Sequence, residues 1–363
     1  MIHLFNPEND LALANAGANY VIHRHARQLR HDLALLPAWL AEPGDAVLVV
    51  DGQDTAALQA FLDDRHLDVE VLTPDRLRRE HHDDAFAPWG WNIDLRRRLI
   101  KHGVDPERLP NEEHLARWRM LAHRRTTVAV HHALNSHLAP EELTTLGQID
   151  DFIARHKATG SYLKAPWSGS GSGVRHLPAG KEAGRDLRQW ADGVLRRQGS
   201  VLAERALDRV ADLAVELHSD SGQLTVAGYS LFQNDDHDQY RYGIVEPRQR
   251  LRDRIASLYP TLDSDVDSLI DALAPMLGDY TGFLGVDMAL YRDDNGNIRL
   301  NPCIEINLRM TMGLVTAILG DKLPENIMPR KFAIITPDNT ADSDFLLTPL
   351  IITSQHTAVL SPF

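Results

Sequence analysis

The chain has 363 residues, 43% of them hydrophobic and 25% charged, the makeup of a globular protein with length for two or three modules rather than one core. Its net charge of -13 argues against nucleic acid or an anionic membrane as the main partner, while leaving room for a local basic pocket. A single cysteine, Cys303, excludes an intrachain disulfide and a thiolate metal cage.

The opening stretch MIHLFNPEND turns polar too early for a secretory leader, and no run of about 18 apolar residues occurs. The expected compartment is the cytoplasm, and no membrane partner is expected. Residues 2–5 read as a strand that stops at Asn6-Pro7. Residues 45–50 form an apolar strand, 55–64 have helical periodicity, and 69–72 form another short strand. This alternation predicts a parallel, Rossmann-like sheet over residues 1–115. The fingerprint G-x-G-x-x-G is absent there, so no dinucleotide site is expected.

Residues 112–134 are helical in pattern, rich in arginine and histidine, and are expected to cross into a second module. A short helix over 149–156 precedes a strand over 161–165, which runs into the tract Ser168-Gly169-Ser170-Gly171-Ser172-Gly173. A helix over 186–197 follows, then strands over 201–207, 213–218 and 223–232 that read as one antiparallel sheet. A helix over 266–277 leads to strands over 283–291 and 298–307, joined by the hairpin turn Asp293-Asp294-Asn295-Gly296-Asn297. Apolar runs over 345–352 and 357–360 read as edge strands.

Two constellations carry chemistry. In YLKAPWSGSGSGVR, Lys164 ends an apolar strand and the glycine tract follows. Closely approaching backbone N–H groups and a nearby ammonium suit phosphate oxygens, yet the tract is no Walker A loop and alone fits a structural turn equally well. In the second constellation, strand alternation puts Glu305 and Asn307 on one face, and Asp287, on the preceding strand, can face the same way across the hairpin. Two carboxylates and an amide oxygen form a hard-oxygen set suited to Mg²⁺. Arg309 continues the alternation and offers a cation for a substrate carboxylate or a developing negative charge.

Together these features resemble the ATP-grasp superfamily, in its carboxylate–amine ligase type. The likeness rests on LKAPWSGSGSGVR, on VLAERALDRVADLAVEL and on GVDMALY through IEINLRM, in that order, over about residues 117–312. It implies a Rossmann-like domain over 1–115, followed by two α+β subdomains, 116–206 and 207–363, that clamp the nucleotide. It implies that Lys164 contacts the phosphates of ATP and that Gly169, Ser170, Gly171 and Ser172 lie in a closing loop. Glu204, with the backbone of Arg205 and Ala206, would border adenine. Asp212 would meet the ribose, an aspartate standing where the family has glutamate. Asp287, Glu305 and Asn307 would bind two Mg²⁺ (or Mn²⁺) ions, with Glu305 bridging, and Arg309 would stabilise an acyl phosphate or tetrahedral state.

The family's earlier lysine has no counterpart in LAHRRTTVAVHHAL. Arg124 or Arg125 is the substitute for it, or either is a solvated helix end. The implied activity is ATP-dependent joining of a carboxylate, through an acyl phosphate, to an amine of a small molecule, amino acid or peptide, with release of ADP and phosphate. A phosphotransferase and a non-catalytic nucleotide-binding protein are the alternatives, and a homodimer is common for enzymes of this size. For the acid substrate, the loop Asn6–Asp10 and the pair Trp89 and Trp91 are candidates, against a helix cap and plain packing. Arg248 reads as a phosphate ligand or a surface residue. The pairs His81-His82 and His131-His132 read as solvated or capping, since neighbours on a helix do not face each other.

Overall fold

The structure is a computed structural model that describes residues 1–15, 20–80, 84–169, 173–235, 239–324 and 328–363. Ser170, Gly171 and Ser172 of the tract and the pair His81-His82 lie outside these residues. The described residues divide into two compact units. One is Met1–Arg117 with Arg241–Arg250 and Arg309–Phe363; the other is Trp118–Tyr240 with Leu251–Leu308. Among the described residues no helix is long and apolar enough to cross a membrane.

The first unit contains a four-stranded parallel sheet in the order Val69–Leu72, Asp45–Leu48, Ile2–Leu4, Phe86–Pro88. The strands are short apolar runs, and their side chains fill two cores on the two faces. Val47, Val69 and Val71 pack with Leu58 and Leu62, while Ile2, Leu4 and Leu72 pack with Leu95 and Leu99. Burying each of these Val or Leu side chains contributes roughly 1.5–3 kcal/mol. The helix Thr55–Asp64 starts where the pattern places it, because Asp54 accepts the Ala57 N–H at its N-cap. The same unit holds an antiparallel set in which Arg330–Ile335 lies between Tyr240–Val245 and Thr357–Ser361, with Phe345–Leu346 beyond. Of the two apolar runs in the tail, only Phe345–Leu346 is terminal; Thr357–Ser361 is paired on both sides, and residues 347–352 form no strand.

The second unit is built on two antiparallel sheets. One has the order Glu141–Leu143, Val201–Arg205, Ser161–Lys164, Val174–Leu177. The helices Leu146–Arg155 and Arg185–Gln198 cover it through Ile149, Phe152, Ile153, Ala191 and Val194. The first of these helices begins with a capping box between Thr145 and Gln148. The other sheet has the order Ile298–Asn307, Gly282–Arg292, Asp208–Asp220, Gln223–Asn234. The expected single sheet over 201–232 is therefore divided: Val201–Arg205 pairs with Ser161–Lys164, and a turn at Leu207, whose carbonyl accepts the Arg209 N–H, carries the chain to the second sheet. Helix Leu262–Leu277 buries Leu262, Val266, Leu269, Leu273 and Leu277, the stripe of a one-faced helix. The expected single helix over 112–134 is two, Glu112–Leu121 and Arg125–Ala133.

Candidate active site

Lys164 stands opposite Leu202 in the first sheet of the second unit, and Tyr162 stands opposite Glu204. Opposed residues share a face, so Lys164 and Glu204 are diagonal neighbours within reach of long side chains. The Lys164 ammonium donates to both oxygens of Glu204 at 2.7 Å. Lys164 is 3% exposed, so this is a desolvated pair in which neither charge can be left alone at small cost.

Beyond Lys164 the chain turns sharply. The Ala165 N–H donates to Gly173 O at 2.8 Å, which closes the base of the tract. A Cβ on Gly173 would lie 2.2 Å from the Cβ of Ser168, so only glycine fits there. Arg124, at the start of helix Arg125–Ala133, ties this base to the other constellation. Its guanidinium donates to Ala165 O, to Ser168 Oγ at 2.8 Å and to Glu305 Oε1 at 2.6 Å. Arg124 is buried at 5% exposure, whereas Arg125 is half exposed and paired with Glu142. The structure thus separates two arginines that the sequence leaves equivalent.

Asp287 is directly opposite Glu305, and Gly285 directly opposite Asn307. On the other side of the same strand, Gly285 is opposite Glu216 and Asp287 opposite Ala214. Asp287, Glu305, Asn307 and Glu216 therefore lie on one face of the sheet. The Asn307 amide donates to Asp287 Oδ2 at 3.1 Å. Glu216 is buried at 1% exposure and is the residue that sequence reasoning missed, although it stands four residues after Asp212 and so on the same face of its strand. Oxygen donors of this kind are the type that a divalent cation such as Mg²⁺ prefers. Among the described residues no group of three or more carboxylate, imidazole or thiolate side chains is placed to hold a metal ion.

The two constellations converge. The Cys303 thiol is pushed up by complete burial, and further by the charges of Glu204, Asp287 and Glu305, with Lys164 opposing. A protonated buried thiol is a packing group. His131 is buried rather than solvated, with Nε2 bonded to Cys303 O at 2.8 Å.

The other expected residues occupy varied settings. The Ala206 N–H donates to Gly160 O at 3.0 Å, and Arg205 is opposite Ser161. Asp212 accepts from Arg209 at 3.3 Å and from Asn234 at 3.2 Å. In the first unit Arg309, two residues beyond the strand end at Asn307, forms a two-point pair with Asp10, Nε at 2.9 Å and Nη2 at 2.8 Å. Arg248 pairs with Asp321. Trp89 is packed edge-on against Phe5, which settles it as a core residue, and Trp91 packs against the Ile2 core.

His123, beside Arg124, is 1% exposed, and its Nδ1 accepts the Arg125 N–H at 2.9 Å. Burial, aided by the Arg125 charge, pushes its pKa down to about 4. An unfolded imidazole titrates near ~6.5. Between these values the unfolded chain takes up a proton that the folded one refuses, so this contribution to stability is intact above ~6.5 and falls as the pH drops toward 4. The loss is on the order of 3 kcal/mol. Urea unfolding at pH 7 and pH 4.5 is expected to show a smaller difference for His123→Gln, which keeps an acceptor, than for the parent chain.

No protein-family model matches the sequence, and no curated protein matches it. Solved structures do share the fold. Biotin carboxylase from Campylobacter jejuni, in complex with β-γ-ATP, has a TM-score of 0.52 at 13% identity, over 99% of this chain and 86% of that one. The biotin carboxylase domain of 2-oxoglutarate carboxylase from Hydrogenobacter thermophilus, with MgADP, ADP and bicarbonate, has a TM-score of 0.53 at 12% identity, over 99% and 85%. N5-carboxyaminoimidazole synthetase from Staphylococcus aureus, complexed with ADP, has a TM-score of 0.50 at 14% identity, over 89% and 95%. The chain shares the mixed α/β fold of these structures.

Proposed function

We propose that the chain is an ATP-dependent ligase that joins a small-molecule carboxylate to an amine and releases ADP and phosphate. The observation that carries this reading is the placement of Asp287, Glu305 and Asn307 on one face, with Arg124 joining Glu305 to the base of the glycine tract that follows Lys164. Solved structures of the same fold hold β-γ-ATP, MgADP or ADP, which supports a nucleotide for this chain.

In this reading Lys164 meets the phosphates, together with the described ends of the tract at Ser168, Gly169 and Gly173. Glu204, Arg205 and Ala206 border adenine, and Asp212 meets the ribose. Asp287, Glu305 and Asn307 hold Mg²⁺, which would neutralise phosphate charge. Phosphoryl transfer demands little covalent work from side chains, so positioning and charge neutralisation carry the rate. A carboxylate oxygen attacks the γ-phosphorus and ADP leaves. The amine then attacks the acyl carbon, losing a proton as phosphate departs, and Arg309 steadies the developing oxyanion. The parallel sheet of the first unit serves as the Rossmann-like module that recognises a substrate.

The test is calorimetric titration of ATP with Mg²⁺. The expected outcome is micromolar binding to the parent chain and loss of at least tenfold in Lys164→Ala/Glu204→Gln, a pair chosen so that no buried charge is left alone. ADP release that needs both a carboxylate and an amine identifies the ligase; release with a single acceptor identifies a phosphotransferase. Absence of ATP binding to the parent chain overturns the reading.

A further inference from the structure

The sheet face that carries Asp287, Glu305 and Asn307 is arranged for hydrogen bonding rather than for holding an ion. The Asn307 amide turns its N–H, not its oxygen, to Asp287 Oδ2. Glu305 Oε1 accepts from Arg124 Nη2 at 2.6 Å. With Glu216, three carboxylates share this face. Such a face draws a divalent cation unless an opposing charge already stands on it. Arg124 is that charge.

Arg124 is fixed where it stands. Its backbone N–H donates to Pro166 O at 3.1 Å, and its carbonyl accepts from the Thr127 hydroxyl at 2.6 Å. Two of its side-chain partners, Ala165 O and Ser168 Oγ, are neutral. Glu305 is the one carboxylate bonded to it among the described residues. At 5% exposure the guanidinium is desolvated, so losing Glu305 is costly unless another anion takes its place. A cation settling on Glu305 alone would be repelled by the guanidinium and would strip it of its counter-charge. Phosphate oxygens at the base of the glycine tract, which Arg124 touches through Ala165 and Ser168, remove both obstacles. A guanidinium fork suits phosphate as well as it suits a carboxylate.

We propose that Arg124 closes this face to a lone divalent cation and admits metal only together with phosphate oxygens that take over its guanidinium. The coupling to phosphate deepens the proposed function and rests on it. Two ligands that relieve the same obstacle tighten each other's binding. The test titrates Mn²⁺ into the full chain, alone and with ADP. The readout is the enhancement of water-proton relaxation, which reports Mn²⁺ held by the protein. The parent chain is expected to show none with Mn²⁺ alone and to gain it when ADP is added. Arg124→Gln is expected to bind Mn²⁺ alone at least about tenfold more tightly than the parent. The variant strands no buried charge, because the Glu305 side chain is 23% exposed. Should it fail to fold, Arg124→Met is read in its place. A Kd under about 0.1 mM for Mn²⁺ alone on the parent overturns the proposal without any variant. Enhancement that needs ADP equally in parent and variant overturns the proposal and leaves the proposed function standing. No enhancement in either protein, with or without ADP, overturns both.

Discussion

Glu305→Gln is expected to lower ADP formation by a factor on the order of 10³ and to remove the Mg²⁺ dependence of nucleotide binding. Glu305 is the point where the two constellations meet, opposite Asp287 on the neighbouring strand and bonded to Arg124. Glutamine keeps an oxygen that can accept from Arg124, so the buried guanidinium is not abandoned and the fold is retained. What the variant removes is the negative charge, and with it the hard anionic donor that a divalent cation prefers. Asp287→Asn is the companion, acting on the same face through the opposite strand. The measurement is ADP release against Mg²⁺ concentration, with thermal unfolding as the control for folding. An unchanged metal dependence in Glu305→Gln would falsify the placement of the cation on this face.

Much of this arrangement is legible in the sequence, and its local character explains why. The hairpin is set by Asp293, whose carboxylate accepts the N–H groups of Asn295 and Asn297. Once that turn is fixed, alternation together with a register shift between Asp287 and Ala289 sets Asp287 opposite Glu305. Lys164 at a strand end before a glycine tract is equally local. The features that escape depend on partners far away in the chain. Glu216 reads as one polar residue in the apolar strand LAVEL, and only the register with Gly285 shows which side it serves. Arg124 and Arg125 are adjacent and alike, and their difference is made by Ser168 and Glu305 for the first and Glu142 for the second. Alternation fails for Arg309 because the strand stops at Asn307, and its partner Asp10 is 299 residues away. Glu8 shows the same limit, since neither Arg30 nor Arg98 can be assigned to it by spacing.

Gly320→Ala and Gly193→Ala are expected to move stability in opposite directions, though both glycines sit inside helices. Helix propensity alone predicts that each alanine stabilises its helix by about 0.8–1 kcal/mol. Gly193 lies in helix Arg185–Gln198, and the nearest atoms to a Cβ there are at the tip of the Arg197 side chain, the first at 3.3 Å. A flexible guanidinium can move aside, so Gly193→Ala is expected to stabilise by about 0.5–1 kcal/mol. Gly320 lies in helix Met312–Lys322, and a Cβ there would fall 1.9 Å from the carbonyl oxygen of Glu246 and 2.7 Å from its carbon. Those atoms are backbone, in the segment that follows strand Tyr240–Val245, and they cannot yield without shifting the paired strand itself. Overpacking of this kind costs on the order of 3 kcal/mol, enough to reverse the propensity gain. Urea unfolding of the two variants beside the parent chain reads both signs. A stabilised Gly320→Ala would mean that the helix does not approach residue 246 this closely in solution.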